Sequence, residues 1–329
     1  MNLSFFFRLP SPAFHSIEEQ FFAFQKHLPN EVKFFNIFSE YQSIGFINRL
    51  KIAFHARKNQ SEINHITGDI NFIAPFLKKQ NTILTVHDIG SALNKKGLAR
   101  FILKLFWFTI PFKSVKYITV ISEFTKNEIL KEFKVDENKI IVIPDCISDE
   151  FYYIPKDFNS EKPVILQIGT KINKNLHRLI GAISEINCKL LIIGKLNNSD
   201  FELLDKYKID FENKYNLDFS QIIEEYKKSD IVSFVSTYEG FGVPILEAQA
   251  VGRPVLTSDL SPMKEVAGNG ALLVNPFDIS DIRQGIEKLI SDKNLREKMS
   301  LSGIENAKKY SSKSIASEYY KLYKEISKK

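Results

Sequence analysis

The feature that most limits how this chain folds is a repeating pattern. Short runs of apolar and β-branched residues alternate with helix-length amphipathic stretches along almost the whole sequence. In the first half the strand-like runs are Leu3–Phe7, Val32–Phe35, Ile63–Thr67, Ile83–His87, Tyr117–Ile121 and Ile140–Ile143. Between them, Ile17–Lys26, Phe46–Arg57, Ile70–Lys78, Leu98–Phe108 and Phe124–Phe133 read as helices. Runs of four to six apolar residues suit strands buried on both faces, and strands alternating with helices predict parallel sheets with right-handed crossovers. The rhythm breaks over 145–162, which contains Pro155 and a charge cluster and runs into Pro163, so it reads as a linker. It restarts at Val164–Ile168 and continues through Leu190–Ile193, Ile231–Val235, Val255–Leu256 and Ala271–Val274. Here the helical stretches are Lys174–Ile183, Glu202–Tyr207, Ser220–Lys227, Pro244–Ala250, Ser261–Ala267 and Ile279–Ser291, with a helical tail from Asn294. The expected architecture is α/β, with two consecutive Rossmann-like doubly wound domains, 1–148 and 149–312, facing across a cleft. Ligands in such sheets bind beyond the carboxyl ends of the strands, so the informative residues should follow strands directly.

Composition removes several alternatives. Cys146 and Cys188 are far apart and form no C-x-x-C pair, and the six histidines contain no H-x-x-x-H pair. A disulfide framework and a cysteine-based zinc site are therefore excluded, a helical zinc site is not expected, and a reducing compartment is expected. Leu3–Phe7 is stopped by Arg8 and Pro10, too short for a secretory signal, and the apolar stretch near Phe101–Phe112 is interrupted by Lys104 and Pro111. A membrane span needs about 20 apolar residues, and none is present. The net charge of +6 is uneven: residues 1–116 hold 15 Lys+Arg against 7 Asp+Glu, and 19 of the 28 phenylalanines precede residue 125. A basic chain of this kind permits nucleic-acid binding, but no helix-turn-helix or aromatic stacking motif supports it, so no nucleic-acid partner is expected.

The most informative segment is Ser236–Ala250, STYEGFGVPILEAQA, between a strand and a helix. Gly240 and Gly242 let backbone approach a ligand, and Pro244 fits the first helical turn. The amides of Phe241, Gly242 and Val243 lie where a helix N-terminus offers unpaired donors to a phosphate. Glu239 in the loop and Glu247 about one turn into the helix are placed to accept hydrogen bonds from hydroxyls. The plain alternative is a turn whose glutamates only support the helix start. A second element, Gln167–Leu176 (QIGTKINKNL), follows the first strand of the second domain. Gly169 ends that strand, and Lys171 and Lys174 flank the next helix start, an arrangement electrostatically suited to a diphosphate. Two solvated lysines are the alternative.

EGFGVPILEA, with its Glu-x7-Glu spacing, resembles the signature of glycosyltransferase family 4, retaining enzymes of the GT-B architecture. The run Gly252-Arg253-Pro254-Val255, then Pro262, Glu265-Val266 and Gly270, is also similar to that family. The resemblance is dense over 230–290 and looser elsewhere. It implies a nucleotide-diphosphate sugar donor, UDP- or GDP-linked, with Glu239 on the donor sugar, Glu247 on the ribose and the amides of 241–243 on the diphosphate. Lys174 matches the family's lysine, whereas the usual arginine position holds Thr170, with Lys171 beside it. Lysine lacks arginine's bidentate geometry. The resemblance also implies a role for His87, in the loop Thr85–Gly90, at the donor sugar, and a terminal helix, 313–329, that crosses back to the first domain. Ser122-Glu123 resembles the family's Ser-Glu, with a helix N-cap as the plain reading of Ser122. Asp69 reads as a helix cap after Gly68. The first loop departs from the family: Arg8–Ser16 carries Pro10 and Pro12 where many members have Gly-Gly. Arg8 and His15 are its candidate acceptor contacts.

The reading is thus a retaining hexosyltransferase-type enzyme acting on a glycan or lipid-linked acceptor in cell-surface polysaccharide or glycoconjugate synthesis. A non-catalytic nucleotide-sugar-binding protein and a GT-B phosphorylase are the alternatives. The sequence has no D-x-D motif and nominates no covalent nucleophile, so neither a metal nor another cofactor is required. Asn94–Lys116 places cations beside Phe101, Phe106, Trp107 and Phe108, a pattern fitting either an anionic membrane surface or a crossover helix with solvated lysines. A cytoplasmic location, peripheral on the cytoplasmic face of the inner membrane, is expected.

Overall fold

A computed structural model describes residues 1–10, 16–90 and 95–328. His15 lies outside the described residues, as does Asn94. Among the described residues the strands form two six-stranded parallel sheets. The first holds β1 (Asn2–Phe7), β2 (Lys33–Phe38), β3 (Ile63–Ile66), β4 (Thr82–Val86), β5 (Tyr117–Val120) and β6 (Ile140–Val142), in the order β2-β1-β3-β4-β5-β6. The second holds β7 (Val164–Ile168), β8 (Lys189–Ile193), β9 (Phe211–Lys214), β10 (Ile231–Phe234), β11 (Val255–Ser258) and β12 (Leu272–Val274), in the order β12-β11-β10-β7-β8-β9. The chain divides into two compact units, one of Met1–Ser148 with the segment from Ser312, the other of Asp149–Ser311.

Each order reverses direction once. In the second sheet the chain winds outward from β7 to β9, then returns to β7's other side as β10, pairing Ile231 with Ile165 and Ser233 with Gln167. The loops after β7 and β10 therefore diverge, leaving a crevice at the strands' carboxyl ends. In the first sheet the equivalent reversal lies between β1 and β3.

The phenylalanine excess has a packing cause. β1 is covered on both faces, so alternate side chains enter separate cores. Phe6 packs with Ile52, Ile66, Val86, Phe108 and Phe112. Phe5 and Phe7 pack on the opposite face with Phe21, Phe24, Tyr319 and Tyr323. The last two belong to the terminal helix, Ser312–Ser327, whose Ile315, Tyr319, Leu322, Tyr323 and Ile326 form one buried stripe. The Tyr323 hydroxyl is 2.7 Å from His65 Nδ1, and His65 Nε2 is 2.7 Å from Thr85 Oγ1, which is 2.7 Å from Thr119 Oγ1. Complete burial pushes the His65 pKa down to about 3, so this ring is neutral and structural.

Several elements differ from the sequence expectation. Ile70–Lys78 is not an α-helix but a 3-10 turn, Asn71–Phe76, containing Pro75, which has no amide to donate. The stretch after β4 is a helix in three parts: α-helical Gly97–Leu103, a π turn over Lys104–Thr109, and α-helical Ile110–Ser114. β9 was not legible, because Phe211-Glu212-Asn213-Lys214 has an edge strand's polarity rather than a core strand's. No helix among the described residues is long and apolar enough to cross a membrane.

Candidate functional site

The second unit brings its predicted residues together at the β7/β10 reversal. β7 ends at Gly169, whose φ of +87° favours glycine, and an added Cβ there would lie 2.9 Å from Lys174 Cγ. The absent side chain lets the Lys174 stem fold back over the strand end. Lys174 Nζ then reaches 2.6 Å from Glu239 Oε1 and lies 4.6 Å from the centre of the Phe234 ring. Both side chains are less than one-fifth exposed, so this pair is stronger than a solvated one.

Flanking residues, not singled out by sequence reasoning, hold the two loops in register. Asn173 Nδ2 donates to the Tyr238 carbonyl (2.9 Å) and to Glu239 Oε1 (3.3 Å), while the Asn173 carbonyl accepts from the Thr237 amide (2.8 Å). Asn175, in the left-handed region at φ 61°, is fully buried and donates to the carbonyls of Val235 and Pro276. Asparagine tolerates that conformation better than most residues, the one sequence signal that points to it. Gln167, also fully buried, donates to the carbonyls of Gly169 and Lys174, while its Oε1 has no partner among the described residues.

The loop after β10 ends at Gly242, with φ +120°, and the helix Val243–Val251 begins with Pro244 in its first turn. Pro244 has no amide and the Ile245 amide donates to the Gly242 carbonyl at 3.0 Å, so Val243 carries the first helical amide without an intrahelical acceptor. Phe241 contributes backbone only, since its ring is buried edge-on to Tyr310. Glu247, one turn into this helix, is half-buried and accepts a hydrogen bond from the Tyr226 hydroxyl. Burial raises the Glu247 pKa to about 7, against the opposing effects of the Tyr226 hydrogen bond and the Lys174 charge. Tyr226 itself is driven well above its usual value, by burial first and by the neighbouring carboxylate second. Tyr226 is held by Arg253, a buried guanidinium that donates to the carbonyls of Tyr226, Lys227, Val251 and Ile154. Arg253 is thus a clamp on two helix ends. Lys171 is exposed at the start of the 3-10 turn Ile172–Lys174.

In the first unit, His87 follows β4. Its Nε2 donates to the Thr67 carbonyl at 2.8 Å, and its Nδ1 lies 3.8 Å from Asp145 Oδ1. Gly68 makes room for this ring, because a Cβ there would meet His87 Cδ2 at 2.9 Å. Burial raises the Asp145 pKa, and the His87 charge opposes it. At the β1/β3 reversal, Arg8 is gripped by both oxygens of Glu18 (2.8 and 3.1 Å) and pairs with Asp69. Any acceptor contact by Arg8 is therefore made from within a cluster of one cation and two carboxylates. Asp69 is not a helix cap: it sits at φ 59°, and the following 3-10 turn has no side-chain cap. Ser122 is an N-cap, accepting from the Thr125 amide at 3.0 Å.

Residues 150–309 match the family described as Glycosyl transferases group 1, and residues 9–151 match Glycosyltransferase Family 4. The chain is 30% identical over 286 residues to the capsular polysaccharide biosynthesis glycosyltransferase CapM of Staphylococcus aureus, covering 78% of this chain and 73% of that protein. It is 28% identical over 228 residues to the O-antigen chain mannosyltransferase RfbU of Salmonella typhimurium, a match covering 65% of this chain and only 62% of RfbU. Among solved structures, Anabaena HepE in complex with UDP and glucose superposes with a TM-score of 0.81 at 12% identity, covering 99% of this chain and 100% of that one. WaaG, a glycosyltransferase involved in lipopolysaccharide biosynthesis, gives 0.72 at 15% identity over 98% and 99%. With its two Rossmann-like units and these matches across both, the chain belongs to the group 1 glycosyl transferases and has the GT-B fold.

Proposed function

We propose that this enzyme is a retaining glycosyltransferase that moves a sugar from a nucleotide-diphosphate sugar to a glycan or lipid-linked acceptor, in the synthesis of a cell-surface polysaccharide or glycoconjugate. The observation that carries the reading is the Lys174–Glu239 pair at the β7/β10 reversal, beside the Val243 helix start and within the field felt by Glu247. Lys174, seconded by Lys171, and the amides of 241–243 stabilise the charge that develops on the departing diphosphate. Glu239 positions the transferred sugar and Glu247 the ribose hydroxyls. The reaction needs charge neutralisation at the leaving group, and these residues supply it without a metal or other cofactor. His87 is the first unit's catalytic candidate. Relatives named for O-antigen and capsule synthesis, and one named for transfer to a diphospho-undecaprenol-linked saccharide, support the acceptor class. A peripheral association with an anionic membrane on the cytoplasmic side fits that class.

A thermal-shift panel of UDP, GDP, ADP and CMP tests the donor, followed by measurement of nucleotide release from the matching nucleotide sugar. Stabilisation by UDP or GDP, with slow release in the absence of acceptor, is expected. Stabilisation by none of the four, or turnover that depends on inorganic phosphate instead, would overturn the reading.

A further inference from the structure

The segments 41–58 and 95–116 together make an unusual surface. Their sequences hold four and six Lys+Arg respectively, with no Asp or Glu in either. Both feed helices on the same face of the first sheet: Phe46–Lys58 after β2 and the three-part helix 97–114 after β4. The 3-10 turn Asn71–Phe76 lies between them and joins them. The Arg49 guanidinium sits 5.0 Å from the Trp107 ring centre and 6.0 Å from that of Phe72, Phe54 meets Phe76 edge-on, and Asn71 Nδ2 donates to the Trp107 carbonyl. Each helix buries one stripe, with Ile52, Ala53 and Ala56 on the first and Phe108 and Phe112 on the second. Each also turns a second apolar stripe to solvent. Phe46 and Ile47 are 75% and 69% exposed, with exposed Phe54 two turns further on, and Leu98 and Phe101 are 73% and 62% exposed, with exposed Phe106 following within the π turn.

Isolated exposed apolar residues are ordinary, whereas stripes of them on adjacent helices, rimmed mainly by one sign of charge, mark an interaction surface. The rim is predominantly cationic: Glu40 borders the first stripe, 3.9 Å from His55 Nε2, and basic residues outnumber it. Lys51, Arg57 and Lys58 flank the first stripe, and Lys95 and Lys96 precede the second. Glu132, from the neighbouring helix Glu123–Glu132, engages Arg100 and Lys104 but not this rim. Both helices start at the sheet's carboxyl edge, so Phe46, Ile47, Leu98 and Phe101 lie toward the edge where the β1/β3 reversal opens.

We propose that these two helices form one docking platform for an anionic lipid bilayer, the apolar stripes entering the headgroup–acyl boundary and the rim lysines facing lipid phosphates. The inference rests on the lipid-linked branch of the acceptor reading, because a platform on this edge brings the acceptor-side reversal to the membrane surface.

The test is co-sedimentation of the full chain with phosphatidylglycerol-rich and pure phosphatidylcholine vesicles. Selective binding to the former is expected, together with a loss on the order of 100-fold for the triple change Lys51→Glu/Lys95→Glu/Lys96→Glu. Phe46→Ser/Phe101→Ser should abolish binding that persists at high salt. Unchanged thermal unfolding and UDP or GDP binding would verify that both variants fold. Equal binding to both vesicle types, or binding unmoved by the substitutions, would overturn the platform. So would a dimer that these substitutions dissociate, since a second copy would then cover the face. Failure to bind any nucleotide, with vesicle binding intact, would count against the transferase reading and leave the platform standing.

Discussion

Lys174 and Glu239 are 65 residues apart, yet Nζ and Oε1 meet at 2.6 Å because Gly169 leaves room for the lysine stem. In this state the lysine's charge is balanced by the loop's own carboxylate. A bound diphosphate competes for the same ammonium, so donor binding should loosen the pair and release Glu239 toward the sugar. Lys174→Ala should lower kcat by about 10²- to 10³-fold, the usual cost of deleting one preorganised donor to a developing anion. Single-turnover kinetics check this, and a rate within a few-fold of the parent would remove Lys174 from the leaving-group role.

Gly169→Ala adds a Cβ where φ is +87° and where Lys174 Cγ lies 2.9 Å away. The strain should cost about 1–3 kcal/mol of stability, read by urea denaturation, and the displaced lysine should weaken nucleotide binding in the same protein. A variant that loses stability yet binds nucleotide normally would separate the glycine from the site.

Glu247 gives the donor site a pH dependence. Its carboxyl is raised to about 7 by burial, so the unliganded fold favours the protonated form. Folding stability attributable to this group is then highest at low pH and declines as pH climbs from the usual carboxylate range to about 7. Binding that needs the carboxylate to accept ribose hydroxyls should strengthen over the same rise. Tyr226→Phe removes a hydrogen bond that holds the value down, so its binding midpoint should move to higher pH. Calorimetric titration of the nucleotide across pH would register this, and coincident profiles for parent and variant would refute the assignment.

The terminal helix completes the first unit's core. Removing residues from Ser312 onward strips Tyr319, Leu322, Tyr323 and Ile326 from the face that holds Phe5, Phe7 and Phe24. The first unit should then lose its cooperative unfolding transition. The subtler change Tyr323→Phe leaves His65 Nδ1 without its buried partner and should cost about 1–3 kcal/mol. Chemical denaturation followed by circular dichroism measures both, and an unaltered transition in the truncated chain would contradict the packing.

Much of this was legible in the sequence, because strand and helix periodicities are local, the Gln167–Leu176 run carries its glycine and lysines together, and the Ser236–Ala250 loop carries its glycines, proline and glutamates in one run. Gly169, Lys174, Glu239 and Glu247 could be nominated without coordinates for that reason. Asp69 and Ile70–Lys78 misled because a cap and a helix are also local signals, overruled here by Arg8 and Pro75. Tyr226, Asn173 and Asn175 gave no comparable warning. Each acts through a partner 18 or more residues away that only strand order brings near.

The two halves of the 94–116 segment make the same point. Composition placed Phe101, Phe106, Trp107 and Phe108 beside lysines and left two readings open. The tertiary structure divides them, with Phe108 inside the core and Phe101 and Phe106 in solvent, because a π turn resets which side chains face the sheet. By itself the sequence determined the alternation of elements, the two-unit division and the residue types at each strand end. The tertiary structure alone decided which of those ends converge and which apolar residues stay outside. Both depend on the order in which parallel strands pair, and that order is set by long-range burial rather than by any local run of residues.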